Sequence, residues 1–200
     1  SVHAPIAGFM GHLERDKKYN MATGMLDHSA GVAVACGAEL VVFHPGFLLG
    51  RDREAALEAV ADQLGSLRER LDGKGRAVPF GVEVMGRVRD LGTLDDVIWL
   101  AEHVDWVRPV LDFAHMHATS DGAYLEPGIF ATALHLVDDT LSDDALFQTQ
   151  GSDSQSPGDE TRPIPFHIHV SDIAFANRNE KHHLPYGEGT LRVGPLREAL

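Results

Sequence analysis

Short apolar runs alternate with longer amphipathic stretches along this chain. Each short run is bounded by turn-forming residues and predicts a buried strand; in order, the runs read SVHAPI, ELVVFHPG, AVPFGVEVMG, DWVRPVLDF and IPFHIHVSD. The stretches between them place apolar residues at helical spacing and predict helices; they read MLDHSAGVAVACGAE, REAALEAVADQLGSLRERLD, VIWLAEHV and EPGIFATALHLVDDTL. This alternation predicts a parallel sheet with right-handed crossover connections.

Helix boundary signals support this interpretation. Asp52 can cap the second helix and Gly73 can end it. Thr93 and Asp96 resemble a capping box at the start of the third helix. Pro127 falls in the first turn of the fourth, where a missing backbone N–H is harmless.

The predicted fold class is α/β, of the (βα) TIM-barrel type and incomplete, because the chain supplies about five to six of the eight βα units of a barrel. We therefore expect a single partial barrel domain over residues 1–200. Residues 142–163 are polar and rich in Ser, Asp, Gly and Gln, so they cannot bury enough apolar surface to pack by themselves. They predict a mobile surface insertion, with a functional lid as the alternative.

The composition predicts a soluble globular protein. Apolar residues make up 44% of the chain and charged residues 24%, and no apolar stretch is long enough to span a bilayer. We expect a cytoplasmic protein without membrane contact. The single cysteine, Cys36, excludes an intrachain disulfide, and its apolar surroundings predict a place in the core.

The charge balance opposes nucleic-acid binding. Thirty acidic residues against 17 basic ones give a formal net charge of −13, which should repel a phosphate backbone. One explanation is a high-salt habitat, where Asp-rich and Lys-poor proteins stay solvated and long-range repulsion is screened. This is a hypothesis about habitat and does not identify a function.

Residues able to bind metal stand at or just beyond the ends of all five predicted strands. They are His3, His44, Glu83, the pair Asp112 and His115, and His169. Parallel strands bring such ends together on one rim, where a (βα) barrel builds its active site. A mixed set of imidazoles and carboxylates suits Zn²⁺ or Mn²⁺, and no CxxC, GxSxG, P-loop or GxGxxG motif offers a competing chemistry.

The ordered combination of short motifs resembles the endonuclease IV family of apurinic/apyrimidinic endonucleases, which are xylose isomerase-like TIM barrels. The resemblance rests on HAP, ELVVFHPG, the glutamate of GVEV, LDFAH, HIHVSD and the HH…GEG segment. It implies a centre of up to three zinc ions, with manganese as the alternative metal. The implied ligands are His3, His44 and Glu83 for the first ion, Glu83, Asp112 and His169 for the second, and His115 and His183 for the third.

Two positions depart from the family pattern. The family has an aspartate two residues before the histidine that corresponds to His183, and here that position is Lys181, which cannot bind a cation. Glu180, Asp172 and His182 are the alternatives that the nearby sequence offers. The last family glutamate would fall beyond residue 200.

The resemblance implies a metal-dependent endodeoxyribonuclease that hydrolyses the phosphodiester 5′ to abasic sites in base excision repair, with Glu83 as the catalytic bridging ligand. Its partner would be double-stranded DNA containing an abasic site, and we expect a monomer. Arg51, Arg87 and Arg89 lie in loops expected at the site face, where they could contact phosphates. Two alternatives stay open: a sugar isomerase or epimerase on the same barrel, which the acidity suits better, and a truncated, inactive remnant that binds metal weakly or not at all.

Overall fold

A computed structural model of the chain describes residues 1–12, 16–141 and 166–200. The helices and strands are, in chain order, β1 (Val2–His3), α1 (Lys17–Cys36), β2 (Val41–Phe43), β3 (Gly46–Phe47), α2 (Arg53–Asp72), β4 (Phe80–Glu83), β5 (Asp90–Leu91), α3 (Leu94–His103), β6 (Val107–Asp112), α4 (Phe113–Thr119), α5 (Pro127–Leu141), β7 (His167–His169), β8 (Asp172–Ala176), β9 (Asn179–Leu184) and α6 (Val193–Ala199).

The main sheet has five strands in the order β1-β2-β4-β6-β7, and every neighbouring pair is parallel. These are the five strands predicted from the apolar runs, so the prediction of an incomplete α/β barrel is confirmed. The register places Glu83 opposite Val110 and Asp112 opposite His169. The carboxyl ends of the strands therefore meet at one rim, where the polar residues collect.

Helices cover the sheet and enclose a core rich in aromatic residues. Phe80 stacks edge-on against Trp106, with ring centroids 4.9 Å apart, and Phe113 packs at 5.0 Å from Phe130. All of these side chains except Trp106, which is 6% exposed, are completely buried. Because the core lies beneath the rim, the strand ends are held rigidly while their polar tips stay open to the cavity.

The predicted caps are present. The Asp52 carboxylate accepts a hydrogen bond of 2.9 Å from the backbone N–H of Ala55 at the start of α2. Thr93 and Asp96 form a complete capping box at the start of α3, in which each side chain accepts from the other residue's backbone N–H. These bonds satisfy donors that a helix start leaves unpaired.

The first helix differs from its prediction at its start. It starts at Lys17, with Asp16 as its cap, eight residues before the predicted Met25, because its first two turns are too polar to show an apolar period. It ends at Cys36, followed by Gly37 in the left-handed region at φ 70°. Cys36 is exposed, so the expectation that it fills the core is wrong.

Several elements near the rim were not predicted, among them helix α4 and strand β9. Helix α4 follows β6 without a connecting loop, and it begins at Phe113, which the sequence placed in a strand. The composition of the segment NEKHHLPYGEG predicts a loop, but residues 179–184 form β9, which pairs antiparallel with β8. The loop prediction is wrong because β9 is polar and largely exposed, so it lacks the alternation by which half-buried strands are recognised.

The expected insertion at residues 142–163 lies outside the described residues. Within the described part of the chain, no helix is both long and apolar enough to cross a membrane.

Candidate metal centre

A cavity of about 640 Å³ opens at the carboxyl ends of the strands. All seven residues predicted as metal ligands line it; they are His3, His44, Glu83, Asp112, His115, His169 and His183. They are spread along the chain between residues 3 and 183, and Glu83, Asp112 and His169 are the last residues of β4, β6 and β7. The structure therefore brings together every predicted ligand, whereas their function as ligands stays a prediction.

Glu83 is the centre of the first group. Its side chain is only 2% exposed, and its Oε2 accepts hydrogen bonds of 2.9 Å from Nε2 of both His3 and His44. Its Oε1 accepts a bond of 2.7 Å from Nδ1 of His169. Burial opposes ionisation of this carboxyl, but the three imidazole hydrogen bonds outweigh that effect and hold the pKa of Glu83 well below its usual range.

The contacts of both ring nitrogens of His3 indicate its protonation state. Nδ1 of His3 lies 2.8 Å from the carbonyl oxygen of Ala4, which can only accept, so Nδ1 carries a proton. Nε2 can then donate to Glu83 only if the ring is an imidazolium. The hydrogen bond to Glu83 raises the pKa of His3, and the same carboxylate raises the pKa of His169.

Asp112 explains the spacing of the Asp-x-x-His motif. It is the last residue of β6 and the N-cap of α4, and its Oδ1 accepts a bond of 2.9 Å from the backbone N–H of His115. The cap holds both side chains at the rim, three residues apart. Burial raises the pKa of Asp112, and the nearby negative charge of Glu83 adds to the increase, although His115 opposes it.

His115 and His183 meet on the far side of Asp112. Nδ1 of His115 donates to the carbonyl oxygen of Val84 at 2.7 Å, which leaves Nε2 with its lone pair directed into the cavity when the ring is neutral. That atom lies 3.0 Å from Nε2 of His183, and Nδ1 of His183 lies 2.6 Å from the hydroxyl of Ser171. Two imidazole nitrogens so close together need a proton or a cation between them.

Three donor sets follow from these contacts, each with ligand atoms within 4.8 Å of one another; they are His3–His44–Glu83, Glu83–Asp112–His169 and Asp112–His115–His183. Imidazole nitrogens and carboxylate oxygens are the usual ligands of zinc outside thiolate sites. Nδ1 of His44 is buried without a hydrogen-bond partner among the described residues. Five imidazoles and the buried carboxylates of Glu83 and Asp112 line one cavity. Divalent cations can replace the ring protons that otherwise compensate these carboxylates, so the residues present fit a divalent metal centre.

The three arginines expected to contact phosphate are placed differently from one another. Arg87 lines the cavity. Arg51 instead donates a hydrogen bond to the carbonyl oxygen of Gly11 and is not among the lining residues. Arg89 is exposed and also outside the lining. Contact with a phosphate therefore stays a prediction, and Arg87 is the best placed of the three.

Several lining residues were missed by sequence reasoning. Ile6, Phe9 and Phe47 form an apolar wall, in which the two rings meet edge-on at 4.6 Å. Asp90 adds a carboxylate, and burial raises its pKa. None of these four residues lies at the end of a main-sheet strand, so the pattern that identified the predicted ligands does not include them. Glu180, one of the three alternatives that the sequence offered, also lines the cavity.

Comparison with known proteins places this geometry in a family. The model of the xylose isomerase-like TIM barrel family matches residues 1–200. The chain belongs to that family. The resemblance inferred from the sequence motifs is thus confirmed at the level of the family.

Three similar proteins show how widely the fold is used. An uncharacterized protein of Methanocaldococcus jannaschii is 26% identical over 200 residues, which are 100% of this chain and 66% of that protein. A D-tagatose 3-epimerase-like protein matches with a TM-score of 0.68 and 17% identity over 100% of this chain and 64% of its own. Endonuclease IV from Thermus thermophilus matches with a TM-score of 0.57 and 19% identity over 96% of this chain and 61% of its own.

At these identities the two solved structures show the fold alone. Solved structures with this fold include an endonuclease IV and a D-tagatose 3-epimerase-like protein, so the fold does not determine the reaction. The chain also spans less than two thirds of the length of the relatives it matches. The choice between reactions has to come from the residues of the cavity.

Proposed function

We propose that this chain carries the metal centre of a zinc-dependent phosphodiesterase that hydrolyses DNA on the 5′ side of abasic sites. The observation that supports this most is the number of donor sets. A sugar isomerase or epimerase of this barrel works with two carboxylates around a divalent ion, and Glu83, Asp112 and His169 would satisfy that need. The cavity adds two imidazole pairs, His3 with His44 and His115 with His183.

The additional imidazoles are informative because one ion held by Glu83, Asp112 and His169 would leave them unused. The buried His115 would then still face Nε2 of His183 at 3.0 Å. Several divalent ions in one site are typical of phosphoryl-transfer and nuclease centres. Held in these sets, such ions supply Lewis acidity, which lowers the pKa of water and offsets negative charge on phosphate oxygens.

The protein residues have separate functions in this proposal. Glu83 belongs to two donor sets and holds them at a fixed separation. The carbonyl oxygens of Ala4 and Val84 fix the rings of His3 and His115 through their Nδ1 atoms. Water attacks phosphorus, the bond from phosphorus to the 3′ oxygen breaks, and that oxygen takes up a proton.

Recognition in this proposal depends on the cavity wall. An abasic nucleotide leaves the helix at a lower free-energy cost than a paired one, because no base has to be unstacked or unpaired. Its deoxyribose presents an apolar surface that suits Phe9 and Phe47, and Arg87 offers a positive charge to a flanking phosphate. The cavity volume is within the range of ligand sites that accept a molecule of this size.

Epimerisation of a small ketose is the second candidate function. A specific observation favours it: the net charge of −13 opposes DNA binding but not binding of a neutral sugar. The apolar wall also suits a sugar ring. The two functions differ in the residues they need, since only the nuclease requires the imidazole pairs.

The deciding experiment uses a duplex with one abasic site, labelled on the strand that contains it. We expect zinc-loaded protein to produce a fragment ending in a 3′-hydroxyl, and chelation, Glu83→Gln or His44→Ala to abolish it. Glu102→Gln is the matched control, because Glu102 is an exposed carboxylate on α3. Ketose epimerisation without cleavage, or unchanged cleavage by His44→Ala, would refute the proposal.

A further inference from the structure

Strand β9 contains an irregularity next to the third donor set. Ala174 of β8 pairs with His182, but the following residue, Phe175, pairs with Glu180. Lys181 is therefore an extra residue without a partner, which is a β-bulge. Bulges commonly redirect side chains beside functional sites.

The bulge changes which residue shares a face with His183. In a regular strand, residues two apart lie on the same face, so Lys181 would accompany His183. With one extra residue, Glu180 takes that place and lines the cavity, whereas Lys181 is exposed and does not. The bulge therefore keeps Lys181, which stands where the family has an aspartate, out of the cavity.

The carboxylate of Glu180 lies close to both histidines of the third donor set. Its Oε2 lies 3.7 Å from Nε2 of His115, and its Oε1 lies 3.9 Å from Nε2 of His183. Ligand atoms about 2.0–2.2 Å from one tetrahedral zinc ion are roughly 3.3–3.6 Å from each other. The observed separations are close to that spacing and longer than direct hydrogen bonds.

The other two nearby candidates are unsuitable. His182 is exposed and does not line the cavity. Asp172 is completely buried, and it accepts hydrogen bonds from the backbone N–H groups of Gly187 and Leu191 at 2.9 and 3.1 Å. Its carboxylate therefore holds the loop after β9 and is not directed into the cavity.

Gly86 provides independent support, because it leaves room for Glu180. The backbone N–H of Glu180 donates to the carbonyl oxygen of Gly86 at 2.7 Å. A Cβ atom at position 86 would lie 2.7 Å from Oε2 and 2.9 Å from Cβ of Glu180, and 2.8 Å from Cδ2 of His115. Any side chain there would displace one of the two residues, so the strand end and the bulged strand fit each other only through a glycine.

We propose that Glu180 is a metal ligand, that it completes the third donor set with Asp112, His115 and His183, and that the bulge at Lys181 delivers it. This inference rests on the metal centre of the proposed function. It names a different residue from the one that motif alignment selects, because alignment by residue count cannot register a bulge.

The test measures bound zinc after removal of all metal, reloading and gel filtration, by mass spectrometry of the metal. We expect Glu180→Gln, which keeps the shape and removes the charge, to hold one zinc ion fewer per chain than the wild type. Gly86→Ala should lose the same ion. Lys181→Ala is the matched control from the same bulge and should retain the wild-type number.

Substitution with Co²⁺ gives a second readout, because its visible absorption reports the ligand set. We expect Glu180→Gln to lose the spectral component of the last site that fills, while circular dichroism shows an intact fold. Wild-type zinc content and spectra in Glu180→Gln would overturn the assignment of Glu180 alone. A wild-type chain that holds no zinc would overturn the proposed function, so the two failures are distinguishable.

Discussion

Replacing Glu83 by glutamine should change the number of bound metal ions in a defined way. Glu83 belongs to two of the three donor sets, whereas the set of Asp112, His115 and His183 does not include it. The substitution keeps the shape of the side chain but removes its negative charge. We therefore expect the zinc content to fall from three ions per chain to one.

The magnitude follows from the contacts of this carboxylate. Its two oxygens contact three imidazoles at 2.7–2.9 Å, and a hydrogen bond to a charged group contributes about 1.5–3 kcal/mol. Burial of the ionised group offsets part of that, so the metal-free variant should lose about 1–3 kcal/mol of stability. A metal site weakened by about 2.8 kcal/mol binds a hundredfold less tightly, enough to lose its ion during gel filtration.

The assay is zinc titration of the metal-free protein, followed by gel filtration and metal analysis, with Glu102→Gln as the control. A variant at position 83 that retains three ions would show that this carboxylate is not shared between two sites. A variant that loses every ion although circular dichroism shows it folded would show that the third set does not bind alone. Either result would refute the reasoning from the shared ligand.

Four further predictions test other parts of the structure. Asp27→Asn should lower the stability by about 1–2 kcal/mol, since the buried carboxylate pairs with the half-exposed cations of Arg70, Lys74 and Arg76. Burial opposes ionisation, but these bonds lower the pKa of Asp27 from 3.8 to about 2. The difference in unfolding free energy between wild type and variant, measured in urea melts, should therefore be complete above pH 4 and disappear towards pH 2. Zinc affinity should fall with decreasing pH, because the hydrogen bonds to Glu83 raise the pKa of His3 and His169 above 6.5 and zinc has to displace those protons. Calorimetry in buffers of different ionisation enthalpy measures the number of protons released. A zinc affinity that does not change with pH would contradict the prediction. The stabilisation of the metal-free fold by these hydrogen bonds should be complete below pH 6.5. It should be lost as the pH rises through the raised pKa values of His3 and His169. Asp172→Asn should cost about 1–3 kcal/mol and accelerate hydrogen exchange at the amides of residues 187 and 191, and unchanged exchange there would contradict the assigned bonds.

The main sheet was predictable because its central strands β2, β4 and β6 are buried on both faces. Such strands appear as continuous apolar runs, and a polar residue that ends one is easy to recognise, as with Glu83 after Val82. The caps at Asp52 and Thr93 were predictable for a similar reason, since they depend on residues three or four apart. Local patterns thus identified the elements that position the first two donor sets.

The third donor set was less predictable because it depends on elements without a local pattern. Helix α4 begins directly at Asp112, so strand and helix share one residue and no turn signal separates them. The β8–β9 hairpin is polar on its exposed side and is defined by pairing between strands, including the bulge at Lys181. Position in the sequence therefore left Glu180, Asp172 and His182 open as alternatives to Lys181, and the bulge distinguishes Glu180 from the other two.

The cavity also explains how an acidic protein could approach a phosphate. Four lining carboxylates, those of Glu83, Asp90, Asp112 and Glu180, make the metal-free cavity negative when ionised. Three divalent ions carry six positive charges, so under the proposed function the loaded cavity has a positive charge of two before Arg87 is counted. Exposed charges farther away than about 8 Å are largely screened at physiological ionic strength. Under the proposed function the net charge of −13 would therefore have little effect on DNA at a distance, and the local charge of the cavity would govern contact with the phosphate.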